Sequence, residues 1–150
     1  MSSVTSSDGR RPIRVIVAKD DDLVRTMIVD GLAQSDVPME VTSCTDGVKA
    51  LAFVRALRAA GQSVDLLALD IEMQVMHGDQ VAEAVRQDER ERQQSPVPIV
   101  FVTGFAATNE RLVAALQNGA LATCIHKQSC RDGIEMASRI AELAREGLST

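Results

Sequence analysis

The stretch Val64-Asp65-Leu66-Leu67-Ala68-Leu69-Asp70 decides the fold, because it is a short apolar run that ends in a carboxylate. A run of this kind is typical of a strand buried on both faces of a sheet. We therefore predict a strand over residues 64–69, with Asp70 at its carboxyl end. In an open parallel sheet, ligands bind outside the carboxyl ends of the strands. Asp70 is accordingly the first candidate for a functional residue.

Four further apolar strands alternate with helical segments on either side of this stretch. The other strands are predicted at residues 13–18, 39–43, 98–102 and 122–126. The helices are predicted from Asp22 onward, at 48–60, 79–92 and 108–118, and from Ser129 or Cys130 to about Glu146. Five strand-helix repeats are typical of a parallel sheet with right-handed helical crossovers. The sequence therefore predicts a single α/β domain.

Composition excludes several classes of protein. The chain has 150 residues, a formal net charge of -5 and a pI near 5.0, which argues against a nucleic-acid-binding surface. Its three cysteines follow no zinc or CxxC spacing, and such a sparse, odd set suits a reducing compartment. No apolar run is long enough to span a membrane. We expect a cytoplasmic protein with a disordered leader over residues 1–12.

Polar residues follow most of the predicted strands. The first strand runs into Lys19, Asp20 and Asp21, the third into Asp70, the fourth into Thr103 and the fifth into Lys127. Carboxylates can hold Mg²⁺, and a carboxylate can attack a phosphoryl group to give an acyl phosphate. Ammonium and hydroxyl groups can then stabilise the charge on the phosphoryl oxygens. This combination at one sheet edge points to phosphoryl chemistry.

The sequence resembles the receiver domain of two-component response regulators. The stretches that carry the resemblance are VIVAKDDDLVR (15–25), VDLLALDIEMQVMHG (64–78), PIVFVTG (98–104) and ATCIHKQ (122–128). Together they cover roughly residues 13–147. The resemblance implies a flavodoxin-like, doubly wound (βα)5 fold with a five-stranded parallel sheet in the order 2-1-3-4-5.

The resemblance also implies a role for individual residues. Asp70 corresponds to the phosphoacceptor, Asp20 to the acidic residue that ligates Mg²⁺ directly, and Glu72 to the position whose backbone carbonyl is a metal ligand. Thr103 corresponds to the hydroxyl that binds the phosphoryl group, and Lys127 to the lysine that pairs with its oxygens. Asp21 is a further candidate metal ligand, with helix capping as an equal alternative.

The partners implied are those of a phosphorelay, and the chain is not expected to be an enzyme. A histidine kinase or histidine phosphotransfer protein would donate the phosphoryl group to Asp70 with Mg²⁺. The signal would then pass to a downstream protein, or to an output domain absent from this chain. A homodimer through the face of the fourth helix, fifth strand and last helix is a further expectation.

Four positions depart from the family pattern. Lys19 stands where the first of two acidic residues is usual, and its ammonium would weaken the attraction for Mg²⁺. Gln74 and Gln128 replace prolines, and Cys124 replaces a common aromatic residue. Lys19 motivates an alternative function, a pseudo-receiver that serves as a protein-interaction module with impaired metal binding. In this alternative the ammonium beside Asp20 and Asp70 would mimic the metal and hold the site in one state.

Simpler structural roles are favoured for several other residues. Asp22 is expected to cap the first helix, and His77 and His126 are expected to be loop and strand-edge residues. The charged run from Arg86 to Arg92 is interpreted as a solvated helix end. Cys124 and Cys130 are interpreted as small buried apolar residues.

A flavin- or nucleotide-binding enzyme on the same architecture is disfavoured. No glycine-rich loop follows the first strand, and the acidic residues 20–22 would repel a phosphate.

Overall fold

The structure, a computed structural model, describes residues 11–73, 75–103, 122–126 and 133–146. Strands and helices alternate over residues 13–103 as predicted. The strands are β1 (Ile13–Ala18), β2 (Met39–Cys44), β3 (Leu66–Asp70), β4 (Ile99–Thr103) and β5 (Ala122–His126). The helices are α1 (Asp22–Ala33), α2 (Gly47–Ala59), α3 (Gly78–Arg92) and α4 (Gly133–Glu146).

The five strands form one parallel sheet in the order β2-β1-β3-β4-β5. This confirms the predicted fold class and strand order. β3 is central, and all five of its residues are buried. Its register pairs Ala18 of β1 with Leu69. Lys19, which follows β1, and Asp70, which ends β3, therefore lie side by side.

The core consists of two apolar layers, one on each face of the sheet. Alternate strand residues point to opposite faces, which is why a continuous apolar run supplies both layers. The layer beneath α2 and α3 includes Ile16, Leu67, Leu69, Phe101, Val54, Val81 and Val85. The layer beneath α1 and α4 includes Val15, Val17, Leu66, Val100, Ile28, Leu32, Met136 and Ile140.

Capping side chains fix where the first two helices begin. The Asp21 carboxylate accepts a hydrogen bond of 3.1 Å from the backbone N–H of Val24, so Asp21 is the N-cap of α1. The prediction that Asp22 is the cap was wrong; Asp22 lies in the first turn and pairs with Arg25. Asp46 caps α2 in the same manner, which starts that helix one residue earlier than predicted.

Other described element boundaries differ from the predictions by one or two residues. β3 begins at Leu66 rather than Val64, and the backbone of Asp65 still donates to the Arg14 carbonyl at its start. α4 is described from Gly133, so its predicted start at Ser129 or Cys130 lies outside the described residues. The helix predicted over 108–118 also lies outside them.

The charged run at the end of α3 is not simply a solvated face, so that prediction was wrong in part. Arg86 and Glu89 are buried, at 7% and 5% exposure. Glu89 accepts hydrogen bonds from Arg86 at 2.9 Å, from Arg58 of α2 at 2.9 Å and from the backbone N–H of Val97 at 2.8 Å. This network joins α2 and α3 to the segment that enters β4.

The predicted leader is described only at its end. Arg11 forms a two-pronged ion pair with Asp65, with distances of 2.7 and 2.8 Å, and Pro12 is buried. These two residues therefore contact the domain, and the prediction for residues 1–10 falls outside the described ranges. No helix in the described ranges has the length and apolar character to cross a membrane.

Candidate functional site

The candidate site lies at the carboxyl edge of the sheet, where β1 and β3 end next to each other. Because Ala18 pairs with Leu69, the next residues, Lys19 and Asp70, are neighbours across the two strands. Asp70 is 5% exposed and Lys19 only 1%. The sheet register therefore positions a carboxylate and an ammonium together beneath the surface.

Lys19 forms a buried ion pair with the candidate phosphoacceptor. Its Nζ lies 2.9 Å from Oδ2 of Asp70, and the two side chains are 2% and 6% exposed. Lys19 is also one of the largest fully buried side chains in the described part of the chain. A buried charge needs a compensating partner, and Asp70 supplies it here.

The backbone of Lys19 is held on both sides. Its N–H donates to the Cys44 carbonyl at the end of β2, at 3.1 Å. Its carbonyl accepts a 2.8 Å hydrogen bond from Nη1 of Arg25 on α1. These contacts fix the start of the β1–α1 loop, so the Lys19 side chain is directed at Asp70 by the surrounding structure.

The β3–α3 loop closes over the other side of Asp70. Oδ1 of Asp70 accepts a hydrogen bond of 3.3 Å from the backbone N–H of Glu72. The loop ends where the N–H of Gly78 donates to the Ile71 carbonyl at 2.9 Å. A Cβ at Gly78 would lie 2.2 Å from the Asp70 carbonyl oxygen, so only glycine permits this close approach.

The predicted metal ligands lie in different surroundings. Asp20 and Glu72 are exposed, whereas the carboxylate of Asp21 caps α1. Asp70 Oδ2 is bound to the Lys19 ammonium. Across the residues described, no three or more His, Cys, Asp or Glu side chains are grouped so that they could hold a metal ion.

These residues, as arranged, do not fit Mg²⁺. Mg²⁺ is bound through carboxylates and waters at about 2.1 Å, which requires oxygen ligands facing a shared position. Here the Asp70 oxygen is instead occupied by a fixed positive charge. The expectation of Mg²⁺ binding, and the ligand roles of Asp20, Asp21 and the Glu72 carbonyl, stay predictions.

The remaining predicted site residues are placed only in part. Thr103 ends β4 at the same edge of the sheet, opposite His126 in the register with β5. The side chains of Thr103, His126 and Cys124 lie outside the described part of the structure. Lys127, Gln74, Gln128 and Cys130 lie outside it altogether, so their predicted roles and effects stay predictions.

The contact between Lys19 and Asp70 was anticipated in the pseudo-receiver alternative, and the sheet register brings it about. The hydrogen bond from Arg25 was not predicted, because it depends on the turn into α1. The requirement for Gly78 had a visible signal, a glycine at the start of a helix after an acidic loop. His77, expected in a loop, directly precedes α3, and its backbone N–H donates to Oε1 of Gln80 at 2.9 Å.

Comparisons with known proteins agree on one family. A family model described as "Response regulator receiver domain" matches residues 15–139. The sensor histidine kinase GacS of Pseudomonas protegens is 33% identical over 104 residues, a match that covers 69% of this chain but 11% of that protein. The chain thus spans a small part of this curated relative.

Solved structures show the same likeness. The signal receiver domain of the NarL response regulator from Mycobacterium tuberculosis is 27% identical, with a TM-score of 0.69, covering 90% of this chain and 98% of that one. The receiver domain of the histidine kinase CKI1 from Arabidopsis thaliana, crystallised with Mg²⁺, is 24% identical, with a TM-score of 0.68 and 87% and 91% coverage. The latter shows the fold alone. The match over residues 15–139, the strand order and the buried aspartate that ends β3 together make this chain a member of the response regulator receiver domain family of two-component signalling.

Proposed function

We propose that this chain accepts a phosphoryl group on Asp70 from a histidine kinase or a histidine phosphotransfer protein. The observation that carries the proposal is the position of Asp70, a buried carboxylate at the end of the central strand of a receiver domain. Oδ2 of Asp70 is bound by the Lys19 ammonium, and Oδ1 accepts a hydrogen bond from the Glu72 N–H.

The proposed reaction transfers a phosphoryl group from a histidine nitrogen of the donor to a carboxylate oxygen of Asp70. A carboxylate oxygen of Asp70 attacks phosphorus, the bond from phosphorus to the donor's histidine nitrogen breaks, and that nitrogen keeps the electron pair and is protonated. The product is an acyl phosphate. Its oxygens carry negative charge, which the Lys19 ammonium beside Asp70 can neutralise.

Residues at the same sheet edge would complete the phosphoryl site. Thr103 ends β4 there, and we propose that its hydroxyl binds a phosphoryl oxygen while Lys127 pairs with another. Mg²⁺ takes no part in this proposal, because the Asp70 carboxylate is paired with the Lys19 ammonium and the described acidic side chains form no group of three that could hold a metal ion.

Phosphorylation would act by shifting an equilibrium between two conformations. We propose that the chain is a signalling module of the cytoplasm rather than an enzyme, and that the modified state changes binding to a downstream protein or output domain. The face predicted for this, including a homodimer, combines the segment at 108–118 with β5 and α4.

A second candidate function is a pseudo-receiver, an interaction module that keeps the fold without phosphorylation. The buried ion pair between Lys19 and Asp70 is the observation that favours it. An Asp70 carboxylate that is already neutralised is a weaker nucleophile, and a fixed pair could hold the domain in one conformation.

Intact-mass spectrometry separates the two functions. The protein is incubated with a small phosphodonor such as phosphoramidate, with and without Mg²⁺. The phosphoacceptor proposal expects a gain of one phosphoryl group that Asp70→Asn abolishes. Asp65→Asn, at the other end of β3, serves as the matched control and should retain the gain. A wild-type mass that never changes would favour the pseudo-receiver.

A further inference from the structure

Lys19 and Asp70 form a buried pair of opposite charges at the sheet edge. One ammonium faces one carboxylate at 2.9 Å, and both are almost completely removed from water. The low polarity of the surroundings strengthens their attraction relative to water. Asp70 therefore has a neutralising cation in the folded protein without any bound ion.

The cation is built into the fold rather than loosely attached. The Lys19 carbonyl accepts a hydrogen bond from Arg25 of α1, and the Lys19 N–H donates to the Cys44 carbonyl at the end of β2. These hydrogen bonds fix the backbone from which the Lys19 side chain reaches Asp70.

A divalent ion would meet this ammonium directly. Mg²⁺ on an Asp70 oxygen would lie about 2.1 Å from that oxygen, close to a positive charge that is 2.9 Å from Oδ2. Repulsion between the ion and the ammonium opposes binding. The described acidic side chains form no group of three that could offset this repulsion, and the Asp21 carboxylate caps α1.

We propose that Lys19 is a fixed internal cation that occupies the electrostatic position of a divalent metal ion at Asp70. The site consequently excludes Mg²⁺, and its charge balance does not depend on metal. This inference deepens the proposed function by stating how the same site is controlled. The inference rests on the ion pair between Lys19 and Asp70, and it does not depend on whether Asp70 proves to be a phosphoacceptor.

The test measures Mg²⁺ binding by isothermal titration calorimetry and by the shift in melting temperature, at constant ionic strength. The wild type is expected to show no saturable binding and no Mg²⁺-dependent shift. Lys19→Glu should bind Mg²⁺ at least ~10-fold more tightly and melt at a higher temperature as Mg²⁺ is added. Lys19→Met, which removes the charge alone, should lie between the two and keeps the test valid if Lys19→Glu does not fold.

Lys49→Met is the matched control for the loss of one positive charge. Lys49 is exposed at the start of α2, and its Nζ donates a hydrogen bond of 3.1 Å to the hydroxyl of Thr45. This variant should bind Mg²⁺ as weakly as the wild type. Wild-type binding as tight as that of the Lys19 variants would overturn the inference. A failed phosphorylation assay would count against the proposed function and leave this result unchanged.

Discussion

At the scale of single residues, Lys19 determines the character of the site. A buried ammonium is stable only next to a compensating charge, and a lysine is a compact point charge on a flexible stem. The sequence predicted that Lys19 would lower the negative potential near Asp20. The structure adds that Lys19 is paired with Asp70 itself, at 2.9 Å.

Asp65 is expected to contribute to stability in a pH-dependent way. Partial burial raises the pKa of the Asp65 carboxyl, but the hydrogen bonds from Arg11 and from the Arg14 N–H lower it by more. The net result is a pKa below the ordinary value of 3.8. A depressed pKa gives stability that is present above the unfolded pKa and lost as the pH falls through the folded one.

The measurement is the free energy of unfolding of the wild type and Asp65→Asn from about pH 6 to about pH 2. The variant should lose less stability than the wild type as the pH falls below about 4. Arg11→Met, which removes the main hydrogen-bond partner, should reduce the acid loss in the same direction. If the free energies of unfolding of Asp65→Asn and the wild type change in parallel with pH, the ion pair between Arg11 and Asp65 does not contribute to the pH dependence of stability.

At the scale of elements, the β3–α3 loop contains a strained residue next to the site. Val75 has a φ of 70°, in the left-handed region that β-branched residues rarely adopt, and its side chain is 83% exposed. A backbone of this kind costs of order 1–3 kcal/mol. The loop thus holds an unfavourable conformation without gaining apolar burial at Val75.

Val75→Asn is expected to raise the free energy of unfolding by about 1 kcal/mol, because asparagine tolerates the left-handed region. Urea denaturation measures the change. Val48→Asn is the matched control: Val48 is 48% exposed in the first turn of α2 and carries no such φ, so no gain is expected. Equal effects of the two substitutions would mean that backbone strain at Val75 is not the cause.

Glu89 joins three elements at the end of the sheet opposite Asp70. It accepts hydrogen bonds from Arg58, Arg86 and the backbone of Val97 while it is 5% exposed. Glu89→Ala leaves buried arginine charge without this carboxylate. We expect a loss of about 3–5 kcal/mol in the free energy of unfolding.

Glu91→Ala is the control for this substitution, since Glu91 is exposed on the same helix and bonds Gln87 at 3.1 Å. Its effect should stay within about 0.5 kcal/mol. Chemical denaturation of both variants gives the comparison, and a loss at Glu89 no larger than that at Glu91 would contradict the structural role of the network.

The elements themselves were largely predictable, since each buried strand is a continuous apolar run and each described helix has a regular apolar face. Boundaries were less so: Asp46 caps α2, which begins at Gly47 rather than at residue 48, and β3 begins two residues later than predicted. The role of Glu89 was missed because its partners on α2 and before β4 are distant in sequence. Local charge pattern alone therefore suggested a solvated helix end.

At the scale of the whole molecule, the sheet order links sequence to site. The order β2-β1-β3-β4-β5 makes β1 and β3 neighbours, and their register brings Lys19 beside Asp70. The sequence predicted which residues follow the strands, but not which of them touch, because contact depends on this register. The fold of the whole domain therefore places the Lys19 ammonium in contact with the Asp70 carboxylate.

A receiver site built from uncompensated carboxylates and one built on an ion pair respond in opposite ways when Asp70 loses its charge. Like charges held together destabilise a fold, so removing one of them relieves repulsion. Removing one partner of a buried ion pair leaves the other charge without compensation. The stability of Asp70→Asn distinguishes these cases.

The most direct measurement is a double-mutant cycle on the free energy of unfolding with Lys19→Met, Asp70→Asn and the combined variant. We expect each single substitution to cost about 3–5 kcal/mol and the double variant to lose clearly less than the sum of the two. An Asp70→Asn protein as stable as the wild type, or more stable, would contradict the claim that Lys19 and Asp70 form the core of the site.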